Sequence, residues 1–142
     1  MAEKGVYPPL IIHPEGGTSN GKYLLKFKIG AFAGLNSIQP VIFKYDSSSA
    51  DVEGCVIPVY ANMMIMGANT FTSLTIMELP IFKPNEFFFK KHQKEGEEKW
   101  ETYARVIRDI MAKVGDLEKT DLTAEDKFVY KSIIYNTKIS AD

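Results

Sequence analysis

The chain has 142 residues, 45% of them hydrophobic and 25% charged, a composition that supports one globular core and excludes a coiled coil, a collagen-like repeat or long disorder. Seventeen basic side chains against eighteen acidic ones leave a formal net charge of −1. Nucleic acid is therefore not an expected partner, because its non-specific binding needs clustered positive charge to release counterions.

Taken in chain order, Tyr7-Pro8-Pro9-Leu10-Ile11-Ile12-His13 is a short apolar run behind a rigid proline pair, stopped by Pro14, and it reads as a buried strand. Residues 14–21 hold Gly16, Gly17 and Gly21 with Thr18, Ser19 and Asn20, which predicts a loop at that strand's carboxyl end. Leu24 to Phe32 can form a short helix. Ser37 to Tyr45, with Ile38, Val41, Ile42 and Phe43, is expected as a strand beside the first. Asp46 to Asp51 is small and polar, a surface connection and not a domain linker, so residues 1–142 are taken as a single domain.

Gly54 to Met77 contains no charged residue, yet Pro58, Asn62, Gly67 and Asn69 interrupt it. That suits a core element or an interfacial surface better than a membrane span. Cys55 is the single cysteine; it cannot form an intramolecular bridge and is expected as a small core residue, with no metal site implied. Ser73 to Phe82 reads as a third strand ending near Pro84-Asn85. Of Phe87, Phe88 and Phe89, at least one is expected at a surface, since three consecutive side chains cannot face one way in a helix or a strand. From Glu97 to Val114, Trp100, Tyr103, Ala104, Ile107, Met111 and Val114 recur at steps of three or four, which predicts an amphipathic helix. Gly115 is expected to close it as a left-handed cap, and Thr123 with Asp126 to open a last helix through Ile134. The predicted fold class is α/β.

The chemistry concentrates in the glycine loop. Gly16-Gly17-Thr18-Ser19-Asn20-Gly21-Lys22 fits the first seven positions of a nucleotide-binding P-loop, but the eighth residue is Tyr23. A P-loop needs a Ser or Thr hydroxyl there to ligate magnesium, and a phenol does not replace it.

The longer string Leu10-Ile11-Ile12-His13-Pro14-Glu15-Gly16-Gly17-Thr18-Ser19-Asn20-Gly21-Lys22-Tyr23-Leu24-Leu25-Lys26-Phe27-Lys28-Ile29-Gly30-Ala31-Phe32, followed by Ile38-Gln39-Pro40-Val41-Ile42-Phe43-Lys44-Tyr45, resembles the glycerolipid acyltransferases. Within them it is similar to the lysophosphatidylcholine acyltransferase branch. The resemblance implies part of an acyltransferase-type mixed sheet with flanking helices, without the N-terminal strands and helices of the full domain. It also implies transfer of an acyl group from coenzyme A to a lysophospholipid hydroxyl. Glu15, Gly16, Gly17, Thr18 and Ser19 would then lie at the acceptor's glycerol-phosphate, and Pro40 would shape the substrate pocket. Glycine N–H groups, the two hydroxyls and Lys22 or Lys26 are suited to phosphate, while Glu15 would orient a hydroxyl or a neighbouring cation.

Two departures stand out. Gly17 occupies the position where the family's loop carries Thr. The family's general base also lies in a His-x4-Asp motif well before this loop, whereas twelve residues precede His13 here. Loss of such a base removes about a hundred- to ten-thousandfold of rate. His92 and Glu97 share the motif's separation but fall in a charged stretch, and His13 is read as a structural histidine, so no catalytic residue is assigned. The expectation is a degenerate acyltransferase-like half-domain, non-catalytic alone, acting as a structural or lipid-contacting subunit of a membrane-associated assembly. The alternative is the carboxyl half of an active enzyme whose base lies on another chain or an upstream segment; an unrelated phosphate-binding module is a third reading. No resident cofactor is expected, with acyl-CoA as co-substrate if the site is active. Expected partners are a polypeptide covering the first strand's edge and a phospholipid or membrane surface, in the endoplasmic reticulum or the mitochondrial inner membrane.

Overall fold

A computed structural model describes residues 8–17, 19, 21–45, 57–68, 71 and 73–135. Its elements are β1 (Tyr23–Leu24), a 3₁₀ turn (Ile29–Ala31), β2 (Val41–Tyr45), α1 (Val59–Ala68), β3 (Leu74–Glu78), α2 (Glu86–His92), α3 (Lys99–Gly115), β4 (Glu118–Lys119) and α4 (Ala124–Tyr135). The α/β character holds, carried by two separate two-stranded sheets: β1 pairs with β4 in parallel, and β2 with β3 antiparallel. The predicted polar connection at 46–51 and Cys55 lie outside the described residues.

The three-to-four periodicity read between Glu97 and Val114 forms α3, whose stripe of Tyr103, Ala104, Ile107 and Met111 is buried. Burying side chains of this size contributes roughly 1.5–3 kcal/mol each for the larger ones. Trp100 packs against this core partly buried, and Val114 stays exposed. Tyr103 is 0% exposed. Its ring meets Phe32 edge-on at 5.3 Å and tilts against Phe82 at 5.8 Å. Its hydroxyl donates toward the carbonyls of Asn36 and Phe82, each at 3.1 Å, and burial pushes its pKa up to about 12. One helix thus ties together the 3₁₀ turn, the bridge between Ile38 and Phe82, and α2.

The α3 helix is closed one residue later than expected. Asp116, not Gly115, takes the left-handed conformation (φ 50°), and its N–H bonds the Ala112 carbonyl. Gly115 remains helical, and a glycine suits the spot because space is short: a Cβ there would lie 3.1 Å from the Leu117 side chain and 3.2 Å from that of Ile42. Lys44 of β2 reaches the Gly115 carbonyl at 2.6 Å, a cation at a helix C-terminus where the dipole favours it.

Two N-terminal expectations are overturned. Residues 8–13 form no strand, and Leu10 and Ile11 are 78% and 82% exposed. An apolar run is buried only where a ladder partner and a facing layer exist, and prolines at 8, 9 and 14 remove three of the N–H donors that a ladder needs. The strand edge that a partner polypeptide was expected to cover therefore does not form, and β2 pairs with β3 instead. Leu24 to Phe32 is not a helix, because tertiary hydrogen bonds claim its backbone. Leu24 pairs in β1, Lys26 N–H donates to the Leu122 carbonyl at 3.1 Å, and Lys28 N–H to the Pro14 carbonyl at 2.7 Å. Such bonds outweigh the few tenths of a kcal/mol per residue of helix propensity.

The predicted third strand appears as β3, in register from Val41↔Glu78 to Tyr45↔Leu74. The phenylalanine triplet divides as expected, with Phe88 and Phe89 buried and Phe87 on the surface. Within the uncharged stretch, Val59–Ala68 folds as α1, which buries none of its residues, and Leu74 to Met77 belongs to β3, where Met77 packs against the core; α1 is thus not the core element that one of the two readings expected.

Candidate functional site

The glycine loop is built by short-range bonds and then fastened to the far end of the chain. Gly16 N–H donates to the His13 carbonyl at 3.1 Å, closing a turn, and Gly16 adopts φ +71°, a conformation costly for any residue with a Cβ. Opposite the turn, Thr123 and Asp126 begin α4 as read from sequence: the Asp126 carboxylate accepts from the Thr123 N–H at 2.6 Å and from its hydroxyl at 2.9 Å. This places Ala124 against the loop, where a Cβ on Gly17 would lie 3.3 Å from the Ala124 methyl. Two small residues thereby let loop and helix approach, and a cleft of about 80 Å³ opens between Gly16, Gly17, Ala124, Lys127, Phe128 and Lys131.

Glu15 is the structural pin of the loop. Its Oε2 accepts from the Leu25 N–H at 2.9 Å. Burial raises its pKa above the ordinary carboxylate value, opposed by that hydrogen bond and by the nearby charges of Arg108, Lys127 and His13. Arg108 in turn donates to the Leu24 carbonyl at 2.6 Å and to the Thr120 carbonyl, holding β1 beside the segment that leads into α4. Lys28 pairs with Glu125 of α4, and Lys26 with Asp121 at 3.6 Å.

Of the expected site residues, Glu15, Gly16 and Gly17 come together in this turn. Thr18 lies outside the described residues. Ser19 uses its hydroxyl locally, donating to the Tyr23 carbonyl at 3.1 Å and accepting from the Gly21 N–H at 3.4 Å. Pro40 is buried at the start of β2, where its carbonyl accepts from the Leu79 N–H at 2.9 Å, outside the lining of the cleft. His13 is exposed. His92 ends α2 with its ring 5.3 Å from that of Phe88 and its carbonyl bonded by Arg105. Glu97, the acid at the suggestive spacing from His92, is committed to Arg105 at 2.7 Å and to the Thr102 hydroxyl at 2.8 Å. The structure adds Lys127 and Lys131, which the loop motif did not indicate. Their four-residue spacing puts them on one helical face with Ala124 and Phe128, but nothing in the local sequence places that face opposite residue 16.

Among the described residues no group of His, Cys, Asp and Glu is arranged to hold a metal, and no helix is long and apolar enough to cross a membrane. No protein-family model matches the chain, and no solved structure matches it. The chain is similar to the Arabidopsis thaliana lysophospholipid acyltransferase LPEAT1, 30% identical over 127 residues that cover 89% of this chain and 30% of that protein. It is 29% identical over 130 residues to the Mus musculus lysophosphatidylcholine acyltransferase 2B, covering 89% of this chain and 23% of that one. Against the Homo sapiens lysophosphatidylcholine acyltransferase 1 it is 29% identical over 127 residues, covering 86% and 22%. The chain therefore spans less than a third of the length of each.

Proposed function

We propose, from the premise that this chain is a relative of the lysophospholipid acyltransferases over less than a third of their length, that it is a lipid-contacting half-domain of such a transferase architecture and does not complete acyl transfer alone. The observation that carries this reading is the small cleft between the Gly16–Gly17 turn and α4, with Lys127 and Lys131 among its lining residues, beside a loop that Glu15 pins. Acyl transfer needs more than a cradle. The acceptor hydroxyl must lose its proton as its oxygen bonds the thioester carbon, and the C–S bond then breaks to release the coenzyme A thiol. His13 is exposed and the His92 ring lies against Phe88, while the Glu15 and Glu97 carboxylates are engaged by the Leu25 N–H and by Arg105, so no imidazole–carboxylate pair is offered for that proton by these residues. The exposed, uncharged α1 supplies a surface suited to lipid.

A second reading is favoured by the share of the relatives that the chain spans: it is the carboxyl half of an active acyl-CoA:lysophospholipid acyltransferase whose His-x4-Asp half lies elsewhere. Purified chain mixed with acyl-CoA and lysophosphatidylcholine at neutral pH separates the two, with thiol release as readout. No release above background is expected from the chain alone, and release by the chain alone overturns the first reading. Release that appears only when a polypeptide bearing a His-x4-Asp segment is added supports the second.

A further inference from the structure

We propose that the outward face of α2, made by Phe87, Lys90 and Lys91, is a docking surface for an anionic membrane. The proposal rests on the reading above only for the partner being a lipid surface, and it uses a face outside the cleft.

The face follows from how α2 is fixed. Asn85 caps the helix, its side chain accepting from the Phe88 N–H at 2.8 Å, and the core takes Phe88 and Phe89. Helical spacing then groups Phe87 with Lys90 and Lys91, three and four residues on. Phe87 is 74% exposed, and both lysines are exposed. From the other side Lys99 of α3 holds the helix, pairing with Glu86 at 2.8 Å and lying over the Phe89 ring at 5.2 Å. The same pair neutralises Glu86, the one acidic residue among positions 83–94, a stretch that also carries Lys83, Lys90, Lys91 and Lys94. Positive charge is thus concentrated here in a chain whose net charge is −1. Among the described residues Lys90 and Lys91 form no ion pair. The helix dipole favours lysines in a last turn, but it does not account for a phenylalanine exposed beside them. A bilayer interface uses both: the ring enters the headgroup region, and the lysine stems lie along it while their ammonium groups meet anionic headgroups. A nucleic-acid duplex would use the lysines and leave the ring idle.

The test compares co-sedimentation of the full chain with vesicles of phosphatidylcholine alone and of phosphatidylcholine and phosphatidylserine in equal parts. Phosphatidylserine is expected to raise binding, and added salt to reverse the gain. Lys90→Gln with Lys91→Gln is expected to weaken binding to the mixed vesicles about tenfold, each lysine near such a surface being worth up to about fivefold. Lys90→Arg with Lys91→Arg should retain it, and Phe87→Ser should weaken it severalfold. Lys113→Gln with Lys119→Gln, which removes equal charge around the far end of α3, is expected to change binding less than twofold. Thermal melting reports folding, and Lys91→Gln alone serves if the paired variant unfolds. A phosphatidylserine gain that the α2 variants leave unchanged overturns the proposal. Lysine-dependent binding that ignores Phe87 and is displaced by a DNA duplex marks a general polyanion site and overturns it too. Binding to both vesicles without a phosphatidylserine preference refutes this surface and leaves the proposed function standing, whereas binding to neither refutes the lipid-contacting reading as well.

Discussion

At Glu15 two forces oppose one another, since burial disfavours the carboxylate while the Leu25 N–H and the Arg108 charge favour it, and burial dominates. A carboxyl whose folded pKa lies above its unfolded one holds its proton more tightly when folded. Its contribution to stability therefore declines as pH rises from the unfolded value through the folded one. Glu15→Gln, which keeps an oxygen for the Leu25 N–H, is expected to leave stability at pH 7 unchanged or higher. Glu15→Ala orphans that N–H and should cost about 1–3 kcal/mol; urea denaturation of both variants distinguishes an acceptor role from a charge role. Glu97 behaves in the opposite sense: the Arg105 guanidinium, with the Lys94 N–H and the Thr102 hydroxyl, lowers its pKa to about 2. Its stabilisation is present above about 4.5 and lost as pH falls toward 2. Glu97→Gln should cost about 1 kcal/mol at pH 7, a partly solvated ion pair being worth little more, and should flatten the acid side of a melting-temperature profile against pH.

Helix α3 was legible from sequence because its information is local: six apolar residues at helical spacing define a stripe whatever they face, and the stripe found a core. Residues 24–32 failed the same test because their conformation is decided by carbonyls at Pro14 and Leu122 and by the β4 strand, none of which is visible in a local window. The α1 helix is intermediate. Its lack of charge was plain in the sequence, but the exposure of Tyr60, Met63, Met64 and Met66 required the fold. Since both positions are exposed, Met63 at 68% and Met66 at 46%, Met63→Glu with Met66→Glu should change folding stability by less than about 0.5 kcal/mol per substitution. If α1 is the lipid-facing surface proposed here, the same pair should reduce co-sedimentation with phosphatidylcholine vesicles severalfold. Equal sedimentation with unchanged stability would show that the helix faces something else.

Over the whole molecule, the outward face of the β2–β3 pair repeats the pattern of α1. Cross-strand neighbours Phe43↔Ile76 and Tyr45↔Leu74 lie exposed, while Ile42 on the other face is buried. The buried face pairs Ile42 with Met77 and Lys44 with Thr75, so the pair carries apolar side chains on both faces but a lysine on the inner one, where it reaches the Gly115 carbonyl. The amino-acid sequence by itself determined the α/β class, the long helix, the two central strands, the start of the last helix and the kinship with lysophospholipid acyltransferases, because periodicity, capping residues and an ordered string of motifs are local properties of the chain. Only the tertiary structure decided that the first apolar run stays outside the core, that Arg108 and Glu15 tie the loop to distant backbone, and that Lys127 and Lys131 stand across from Gly16. The physical reason is range: hydrogen bonds and charge contacts between residues a hundred positions apart exist only after the chain has closed on itself, and no window along it contains both ends.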